Sequence, residues 1–418
     1  MTQTRFSTTQ YTPTLQKIIE ECVQTDGIDA SAMIMKTVFE SLLEAERTIF
    51  FEQKNIQDQI GDIDDTVHNK RNGYYSRLVK SLSGRFTLRV PRDRRNMFEP
   101  LCLEVIANEQ KDLSEAAYLL YTKGMSTRDV ADVMKQLYGS QVSPGYVSTV
   151  TKRFEPLRKQ WEMRQLQSQY YAIYIDAIHV NIRRTDVANE AIYVAIGIGK
   201  DCKREILGLY SIPQESASGW GTIFADLRER GVQETLLVVA DGLTGLENQV
   251  HTHFPRAYFQ KCIVHLKRNI LTGLRSKDKR EMADDLLILF DMNDTIDTLK
   301  HANERIDTFL DKWNDRYPKI QSHFPESIRN YFFTYLHFPH TIRRLIYTTN
   351  WIERLNKEIR KVLKNKNSLP NEAAALNLIW STVMQFEERV YKYPVNNFSP
   401  AITELNSMFI HNSQTQLS

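Results

Sequence analysis

One stretch decides the fold of this chain: Tyr170-Tyr171-Ala172-Ile173-Tyr174-Ile175-Asp176-Ala177-Ile178-His179-Val180. It is apolar, β-branched and aromatic, as buried strands are, and it carries one carboxylate in its middle. An unpaired charge in a buried strand costs several kcal/mol, so Asp176 needs a hydrogen-bonding partner or a metal ion. Asp176 is therefore a candidate site residue.

The segments that follow this stretch also have the pattern of strands. Residues 191–199 and 205–211 are predicted to be the second and third strands, and the short polar spacers between them favour antiparallel hairpins. After a helix around Trp220, residues 235–240 are almost wholly apolar, which is typical of a central parallel strand. A short strand follows at 257–260. This order predicts an α/β protein with a mixed five-stranded sheet and helices over its faces.

Apolar residues at three- and four-residue spacing predict helices elsewhere. They are expected over residues 14–60, 103–123, 155–168, 266–330, 351–363 and 371–390, whereas the tail from about residue 406 is expected to be loose. The apolar face of the first segment, which includes Val38, Leu42 and Leu43, suits either a dimer interface or packing on its own chain.

Composition narrows the class of protein. The chain has 418 residues, 42% of them hydrophobic, which is enough for two or three domains with real cores. It contains no run of about 18 apolar residues and no signal-peptide pattern, so we expect a soluble, cytoplasmic protein. Its cysteines, Cys22, Cys102, Cys202 and Cys262, form no CxxC pair, which argues for reduced thiols.

The charge of +3 is unevenly distributed. Residues 1–69 hold 5 Lys/Arg against 12 Asp/Glu, a balance of −7, which leaves +10 for the rest of the chain. Residues 70–95 carry nine basic residues and one acid, Asp93, interleaved with Tyr74, Tyr75 and Phe86. Such a stretch suits a phosphate backbone, although a solvated basic face is the alternative. The arginines expected to contact DNA are Arg71, Arg77, Arg85, Arg89, Arg92, Arg94 and Arg95.

Residues 126–154 have the pattern of a helix-turn-helix. Ser126 and Asp129 resemble a capping box, and Val130, Val133 and Leu137 form one apolar face. A second helix begins at Ser143-Pro144 and is expected to bury Val147, Val150 and Phe154. Its outward residues suit a DNA major groove, although any small helical hairpin gives this pattern. They are Tyr146, Ser148, Thr149, Lys152 and Arg153.

Asp241 is the second candidate acid. It ends the apolar fourth strand and precedes a glycine, so it is either a turn-forming residue or a ligand. Ligands of open sheets lie at strand ends, where Asp241 and Asp176 can meet if their strands are neighbours. Two such carboxylates suit hard divalent cations such as Mg²⁺.

Glu353 is the third candidate acid. It lies three residues after Asn350, so its alternative role is that of a capping-box glutamate. The helix that it opens is cationic, and a metal-binding acid at the head of a cationic face can hold a scissile phosphate. Glu358 is a fallback that points away from this face by about 140°. The basic residues of the helix are Arg354, Lys357, Arg360, Lys361 and Lys364.

Cys262 and His265 are three residues apart and share a helix face. They supply half of a tetrahedral zinc site, which His251 and His253 could complete, or they lie beside the acids as a packing or DNA-contacting pair. His179 and Trp220 are expected in the core or behind the site. The sequence has no P-loop or dinucleotide-binding glycine motif, which speaks against a nucleotide cofactor.

A series of motifs occurs in a fixed order between about residues 70 and 390. They are Arg71-Asn72-Gly73-Tyr74 with Val90-Pro91-Arg92-Asp93-Arg94; Gly124-Met125-Ser126-Thr127-Arg128-Asp129; Val142-Ser143-Pro144; Tyr174-Ile175-Asp176-Ala177; Asp241-Gly242-Leu243; Cys262-Ile263-Val264-His265-Leu266; and Thr348-Thr349-Asn350-Trp351-Ile352-Glu353-Arg354-Leu355-Asn356. In this order and spacing the sequence resembles the Mutator-like transposases of bacterial insertion sequences.

The resemblance implies a ribonuclease H-like catalytic domain that a helical insertion interrupts. It implies that Asp176, Asp241 and Glu353 form a DDE triad holding two Mg²⁺ ions, with Mn²⁺ able to substitute, and that Cys262 and His265 are the family's Cys-x-x-His element. The layout expected is an acidic helical N-terminal region with a dimerisation role at 1–69, a DNA-binding region at 70–165, catalytic core at 166–265 and 341–395, the insertion at 266–340, and a tail at 396–418.

The resemblance also implies a DNA transposase of the bacterial nucleoid. Family members bind the terminal inverted repeats of their element, free a 3′-hydroxyl by nicking, and join it to target DNA, many through a circular intermediate. Because two DNA ends must meet, we expect a homodimer or larger oligomer on double-stranded DNA, with no membrane contact. The alternatives are a structure-specific nuclease on the same core and a non-catalytic DNA-binding regulator.

Overall fold

The structure, a computed structural model, describes Glu20 and residues 27–60, 69–81, 84–138, 142–184, 186–212, 217–241, 245–291, 297–366 and 368–414. The chain divides into two compact units, Met1–Arg153 and Phe154–Ser418. The described part of the chain contains no helix that is both long and apolar enough to span a membrane. Cys102, Cys202 and Cys262 are buried free thiols, in agreement with the prediction, and Cys22 lies outside the described residues.

In the first unit, a long helix packs on a β-hairpin. The helix Gly27–Ile60 buries Phe39 and Leu43 against the hairpin of β1 (Arg71–Ser81) and β2 (Gly84–Asp93). Buried and exposed residues alternate along β2. Of the predicted apolar face of the first helical segment, Leu43 packs on its own chain, whereas Val38 and Leu42 are exposed. The part of the prediction at 14–26 lies outside the described residues, except for Glu20, which is helical.

Three further helices lie in the described part of this unit: Cys102–Thr122, Thr127–Tyr138 and Pro144–Lys152. The second begins as predicted, because Ser126 and Asp129 bond each other's backbone N–H groups reciprocally. Its buried face is different from the prediction: Val130, Ala131 and Met134 are buried, whereas Leu137 is 65% exposed. The buried face keeps Val130 but has Ala131 and Met134 in place of Val133 and Leu137, which at 100° per residue is a rotation of roughly 70°.

The second unit is built on a mixed sheet. Its strands are β3 (Gln169–Arg183), β4 (Val187–Gly199), β5 (Arg204–Ser211), β6 (Glu234–Thr235), β7 (Leu237–Ala240) and β8 (Tyr258–Lys261). The order is β5-β4-β3-β7-β8, with β6 also on β3; β3, β4 and β5 are antiparallel neighbours, whereas β7 and β8 run parallel to β3. The predicted strands and their directions are confirmed, with the fourth interrupted at Leu236.

Helices cover both faces of this sheet. On one face, the helices Ala217–Glu229 and Leu246–His253 bury Trp220, Ile223 and Phe224 against β3 and β4. On the other face lie Asn350–Lys364 and Glu372–Phe386, the latter continued by a π-helical turn at Glu387–Tyr391. Burying each large apolar side chain contributes about 1.5–3 kcal/mol, so this double cover stabilises the central strands.

The chain between β8 and Asn350 is mainly helical, as predicted. It contains the α-helices Ile263–Thr272, Lys279–Leu289, Leu299–Trp313, Glu326–Arg329 and His340–Ile346, with short 3₁₀ turns at Ser276–Asp278, Pro318–His323, Asn330–Phe332 and Thr334–His337. Trp313 is buried and donates its indole N–H to Asp285 over 2.7 Å. The charged helices therefore have an apolar core of their own.

Two helix predictions need correction. The helix expected at 155–168 ends early, as Glu155–Glu162, because the chain then turns to enter β3. The tail expected to be loose instead forms a 3₁₀ turn at Ser399–Ala401 and the helix Ile402–Gln414. Leu405 and Phe409 of this helix are buried, and Asn406 accepts a hydrogen bond from the Tyr171 hydroxyl.

Candidate active site

The register of the central strands places two carboxylates side by side. β3 pairs in parallel with β7 from Ile173↔Val238 to Ile175↔Ala240. Asp176 and Asp241 are the next residues on each chain, and neighbouring strands lie about 4.8 Å apart. The structure therefore brings the two aspartates together, as predicted for neighbouring strands: Asp241 follows the end of β7, and Asp176 lies midway along β3.

Glu353 lies in the first turn of the helix Asn350–Lys364, over β3. The helix is capped at Thr349, not at Asn350 as predicted, and the Thr349 side chain makes no capping bond. The Glu353 carboxylate instead accepts a hydrogen bond from Arg268 Nη2 over 2.6 Å. A capping-box role for this glutamate is thereby excluded, and its carboxylate faces the helix that carries His265.

The same helix also fixes Asp176. Asn356, one turn after Glu353, is fully buried and donates its Nδ2 to Asp176 Oδ2 over 3.0 Å. The buried aspartate thus has the hydrogen-bonding partner that its position in an apolar strand requires. An amide removes only part of the electrostatic penalty, since it brings no positive charge.

His265 lies between the other two acids. Its Nδ1 is 3.9 Å from Asp241 Oδ2, and its Nε2 is 3.9 Å from Glu353 Oε1. The helix Ile263–Thr272 that carries it begins at Cys262, whose sulfur is 3.2 Å from the Thr349 hydroxyl. The Cys262–Thr349 contact therefore joins the starts of the two helices that carry His265 and Glu353.

The pKa values show how strongly these groups interact. Burial raises the pKa of Asp176 to about 6; the charge of His265 and the Ala177 N–H oppose this rise, whereas Asp241 and Glu353 add to it. The Cys262 sulfur, followed by the carboxylates of Asp176 and Asp241, raises the pKa of His265 to about 9 although burial lowers it. His265 is therefore cationic at neutral pH.

The donors at this site fit a hard divalent cation. Three carboxylates converge. One of them, Asp176, is only 9% exposed, and no basic side chain of the described residues bonds to it. One buried oxygen beside them, Asn356 Oδ1, has no hydrogen-bond partner within the described residues. In the same residues, no three His, Cys, Asp or Glu side chains already stand close enough to hold one ion. The chemistry fits Mg²⁺, and the side chains would have to close on it.

The zinc hypothesis for Cys262 and His265 gains no support. Their two candidate partners, His251 and His253, lie in the last turn of the helix Leu246–His253, and His253 packs on Phe224. The described part of the chain offers no group of three metal-binding side chains. Cys262 and His265 lie beside the acids, which is the alternative that the sequence left open.

A cavity of about 220 Å³ opens at these acids. Asp176, Asp241 and His265 line it together with His179 and Arg360. Trp220 also lines it and is otherwise buried, packing edge-on against Tyr193 at 4.6 Å between ring centroids. Trp220 is thus in the core as predicted, whereas His179 is exposed and borders the cavity, because it lies on β3 beyond the end of β7.

The cationic face of the Glu353 helix is exposed: Arg354, Lys357, Arg360, Lys361 and Lys364 all reach solvent. Arg360 borders the acid cavity, while Lys361 pairs with Glu358 over 2.8 Å. Glu358, the fallback acid, is therefore engaged by a lysine on its own helix.

Sequence reasoning missed two residues of this site, Arg268 and Asn356. Arg268 follows His265 by three positions on one helix, and Asn356 follows Glu353 by three on another. Helix periodicity places both on the faces already assigned to the site, so this spacing was the signal that could have identified them.

In the first unit, the predicted DNA-contacting arginines lie on the hairpin and just after it. Six are exposed and Arg77 is half-buried. Asp93, the one acid among them, is buried and accepts bonds from Asn69 and the Met97 and Phe98 N–H groups. Phe86 is also buried, stacked on Phe39, so it is not part of the surface that carries the arginines.

The tyrosines of the hairpin are already covered by arginines. Arg89 lies 4.6 Å from the ring centroid of Tyr74, and Arg92 lies 5.7 Å from that of Tyr75. Such cation–π contacts hold the guanidinium groups in place at the surface. The hairpin is therefore a surface of positioned positive charge.

The two helices predicted as a helix-turn-helix are present. Ser143 caps the second helix through Tyr146 N, and Val147 and Val150 are buried. Phe154 lies past the helix end and is only partly buried, contrary to the prediction. Tyr146 is also different: its hydroxyl bonds Ser114 over 2.8 Å, so it packs inward. Thr149, Lys152 and Arg153 are exposed, and Ser148 is half-exposed.

Comparison with known proteins identifies the relatives of this chain. Residues 4–392 match the family model described as "Transposase, Mutator family". The chain is 32% identical over 390 residues, 93% of its length and 96% of the relative's, to the transposase for insertion sequence element IS256 in transposon Tn4001 of Staphylococcus aureus. It is 30% identical over 368 residues, 88% of its length and 90% of the relative's, to the transposase for insertion sequence element IS905 of Lactococcus lactis. These matches cover nearly all of both compact units, and the chain belongs to the Mutator family of transposases.

Proposed function

We propose that this chain is the transposase of an insertion sequence, which binds the terminal inverted repeats of that element and cuts and joins DNA by a DDE mechanism. The observation that carries this proposal is the convergence of Asp176, Asp241 and Glu353 around His265. The relatives named as insertion sequence transposases support the same activity.

We further infer that the second unit is ribonuclease H-like. The inference is supported by the strand order β5-β4-β3-β7-β8, by the antiparallel first three strands, and by the parallel last two. The first two acids lie on the central strands and the third on a helix that follows a long helical segment. A helical insertion between the second and third acids is consistent with this arrangement.

Asp176, Asp241 and Glu353 would hold two Mg²⁺ ions, or Mn²⁺ in their place. Bound ions of this kind activate an attacking oxygen and stabilise the leaving oxygen at a phosphodiester. The chain's own residues have separate tasks. Asn356 orients Asp176 by its 3.0 Å hydrogen bond, and Arg360 presents a cation at the cavity for the scissile phosphate. His265 and Arg268 neutralise Asp241 and Glu353 while no ion is bound.

The first unit would bind the terminal repeat. The hairpin arginines supply contacts to phosphates, which position the protein without reading sequence. The exposed side of the helix Pro144–Lys152 would then enter a major groove, where Thr149, Lys152 and Arg153 can reach base edges or phosphates. Two DNA ends would require at least two copies of the chain.

A strand-transfer assay tests the proposed function. Purified protein is incubated with a labelled duplex carrying the terminal repeat, a target plasmid and Mg²⁺. We expect both cleavage at the repeat end and joining of the new 3′-hydroxyl to the target.

The competing functions give different products in this assay. Cleavage without joining would favour a structure-specific nuclease, and binding without either reaction would favour a DNA-binding regulator. A scrambled repeat sequence serves as the substrate control, and it should be neither cut nor joined.

Substitution of Lys152 by Ala tests the DNA-binding helix. We expect weaker binding of the terminal repeat and a decrease of about 1 in the slope of log K against log salt, because one phosphate contact is lost. Lys111→Ala is the matched control, since Lys111 is an exposed lysine of the same unit on the helix Cys102–Thr122. Titration by fluorescence anisotropy at several salt concentrations measures both quantities. Equal slopes for the two variants would remove Lys152 from the interface.

A further inference from the structure

A second cavity adjoins the acid cavity. It has a volume of about 390 Å³, within the range of ligand sites of roughly 300–1,000 Å³. His179 and Arg360 border both cavities. The two cavities therefore lie next to each other, and we name the second one the strand-edge groove.

The strand-edge groove is present because β3 extends beyond the end of its neighbour β7. β7 ends at Ala240, opposite Ile175, whereas β3 continues to Arg183. Its edge meets another segment again at Leu369, which bonds the backbone of Asn181 and Arg183. Between these points, no strand of the described residues pairs with this edge, and the helix Asn350–Lys364 borders the opening.

The charges along the two cavities are opposite in sign. The acid cavity has the carboxylates of Asp176 and Asp241. The strand-edge groove is lined by Arg360, Lys364 and Lys366, and no carboxylate of the described residues borders it. A ligand that extends through both cavities must therefore suit a metal-binding site at one end and an anion-binding site at the other. A nucleic acid strand does so, because it repeats its phosphates at regular intervals.

The groove also offers groups suited to a base or sugar. Asn181 and Asn189 face each other across β3 and β4, and Asn189 Nδ2 donates to Asn181 Oδ1 over 3.0 Å. Both are exposed, and a carboxamide carries two donors and two acceptor lone pairs. Leu363 and the buried Leu369 supply an apolar border beside them. These groups can contact the uncharged parts of a nucleotide.

We propose that the strand-edge groove binds the nucleotides of the reacting DNA strand that lie next to the scissile phosphate. Lys364 and Lys366 hold their phosphates, Arg360 holds the phosphate nearest the acids, and Asn181 and Asn189 contact a base or sugar. This inference rests on the proposed function, since it assumes that a phosphodiester reacts at Asp176 and Asp241. It assigns a second role to β3, which is to position the reacting DNA strand at the acids.

Shortened substrates test this assignment. Duplexes carrying the terminal repeat are shortened one nucleotide at a time on the 5′ or the 3′ side of the cleavage site in the cut strand. Wild-type protein is expected to cleave more slowly, on the order of tenfold, once the nucleotides of one side are removed. The Lys364→Ala/Lys366→Ala variant should be slower by a similar factor on the full substrate and insensitive to shortening on that side.

A second variant removes groove contacts without changing net charge. Asn181→Ala/Asn189→Ala should also reduce the dependence on substrate length. The matched controls are Lys300→Ala and Asn248→Ala, two exposed residues that border neither cavity; both should keep the wild-type dependence.

The outcomes separate this inference from the proposed function. If wild type cleaves but shortening on either side has no effect, or if the groove variants keep the full effect, the groove assignment is overturned and the transposase proposal stands. If wild type cleaves no terminal-repeat substrate, the proposed function fails and the groove assignment fails with it. Loss of the length effect in both groove variants, with unchanged binding of the repeat itself, supports the assignment.

Discussion

Asp176→Asn is expected to reduce single-turnover cleavage of a terminal-repeat substrate by at least about 10³-fold, equivalent to about 4 kcal/mol of transition-state stabilisation. Asp241→Asn and Glu353→Gln should have effects of the same order, because each removes a charged oxygen donor and keeps the size of the side chain. Terminal-repeat binding, measured by anisotropy, should stay near that of wild type, since the DNA-contacting residues proposed in the first unit are unchanged.

Glu358→Gln is the matched control for these variants. Glu358 lies on the same helix as Glu353 but pairs with Lys361, so its loss should leave cleavage intact. Retained activity in any of the three acid variants would remove that residue from the triad. Loss of activity in Glu358→Gln, with retention in Glu353→Gln, would assign the third acid to Glu358.

The same Asp176→Asn substitution is expected to stabilise the metal-free protein at pH 8. Burial raises the folded-state pKa of Asp176 to about 6, above the ordinary value of 3.8. The folded chain therefore holds the proton more tightly than the unfolded chain, and wild-type stability falls as pH rises from about 4 to about 6. Above that range the buried charge of Asp176 lowers the free energy of unfolding by its full amount, at most about 3 kcal/mol. The neutral asparagine does not have this cost.

Thermal unfolding of the second unit measures this effect. The variant should melt several degrees above wild type at pH 8 and near wild type at pH 4, with Glu229→Gln as an exposed-carboxylate control. Added Mg²⁺ should raise the melting temperature of wild type more than that of the variant. A variant less stable than wild type at pH 8 would show that the Asn356 hydrogen bond to the aspartate outweighs the cost of burying its charge.

The sheet could be predicted from sequence because its strands are local patterns. Residues 170–180, 191–199 and 235–240 are apolar runs whose length and β-branched content differ from those of helices, and the short spacers determine the antiparallel hairpins. The meeting of Asp176 and Asp241 followed from adjacency of their strands. The C-terminal helix was missed because its packing on Tyr171 depends on a partner 235 residues away, which no local pattern records.

The finer geometry of the site was beyond prediction for the same reason. Glu353 was placed on the correct helix, but its contact with Arg268 depends on how two helices separated by 85 residues approach each other. Tyr146 was assigned to the outward face because helical spacing alone allows it, whereas its hydroxyl finds Ser114 on another helix. Periodicity determines the face of a helix, and tertiary packing decides which neighbour that face meets.

The contact between Tyr171 and the C-terminal helix has a consequence for synthesis on the ribosome. At a synthesis rate of about 5–20 residues per second, Asn406, the partner of Tyr171, emerges roughly 10–50 seconds after Tyr171 itself. Residues 1–153 are complete long before, so the unit proposed to bind DNA is synthesised while the sheet still lacks a part of its cover. A product cut short before Phe409 would therefore keep that unit and lose a buried part of the other. If the first unit binds the DNA ends as proposed, such a product would compete for them without reacting.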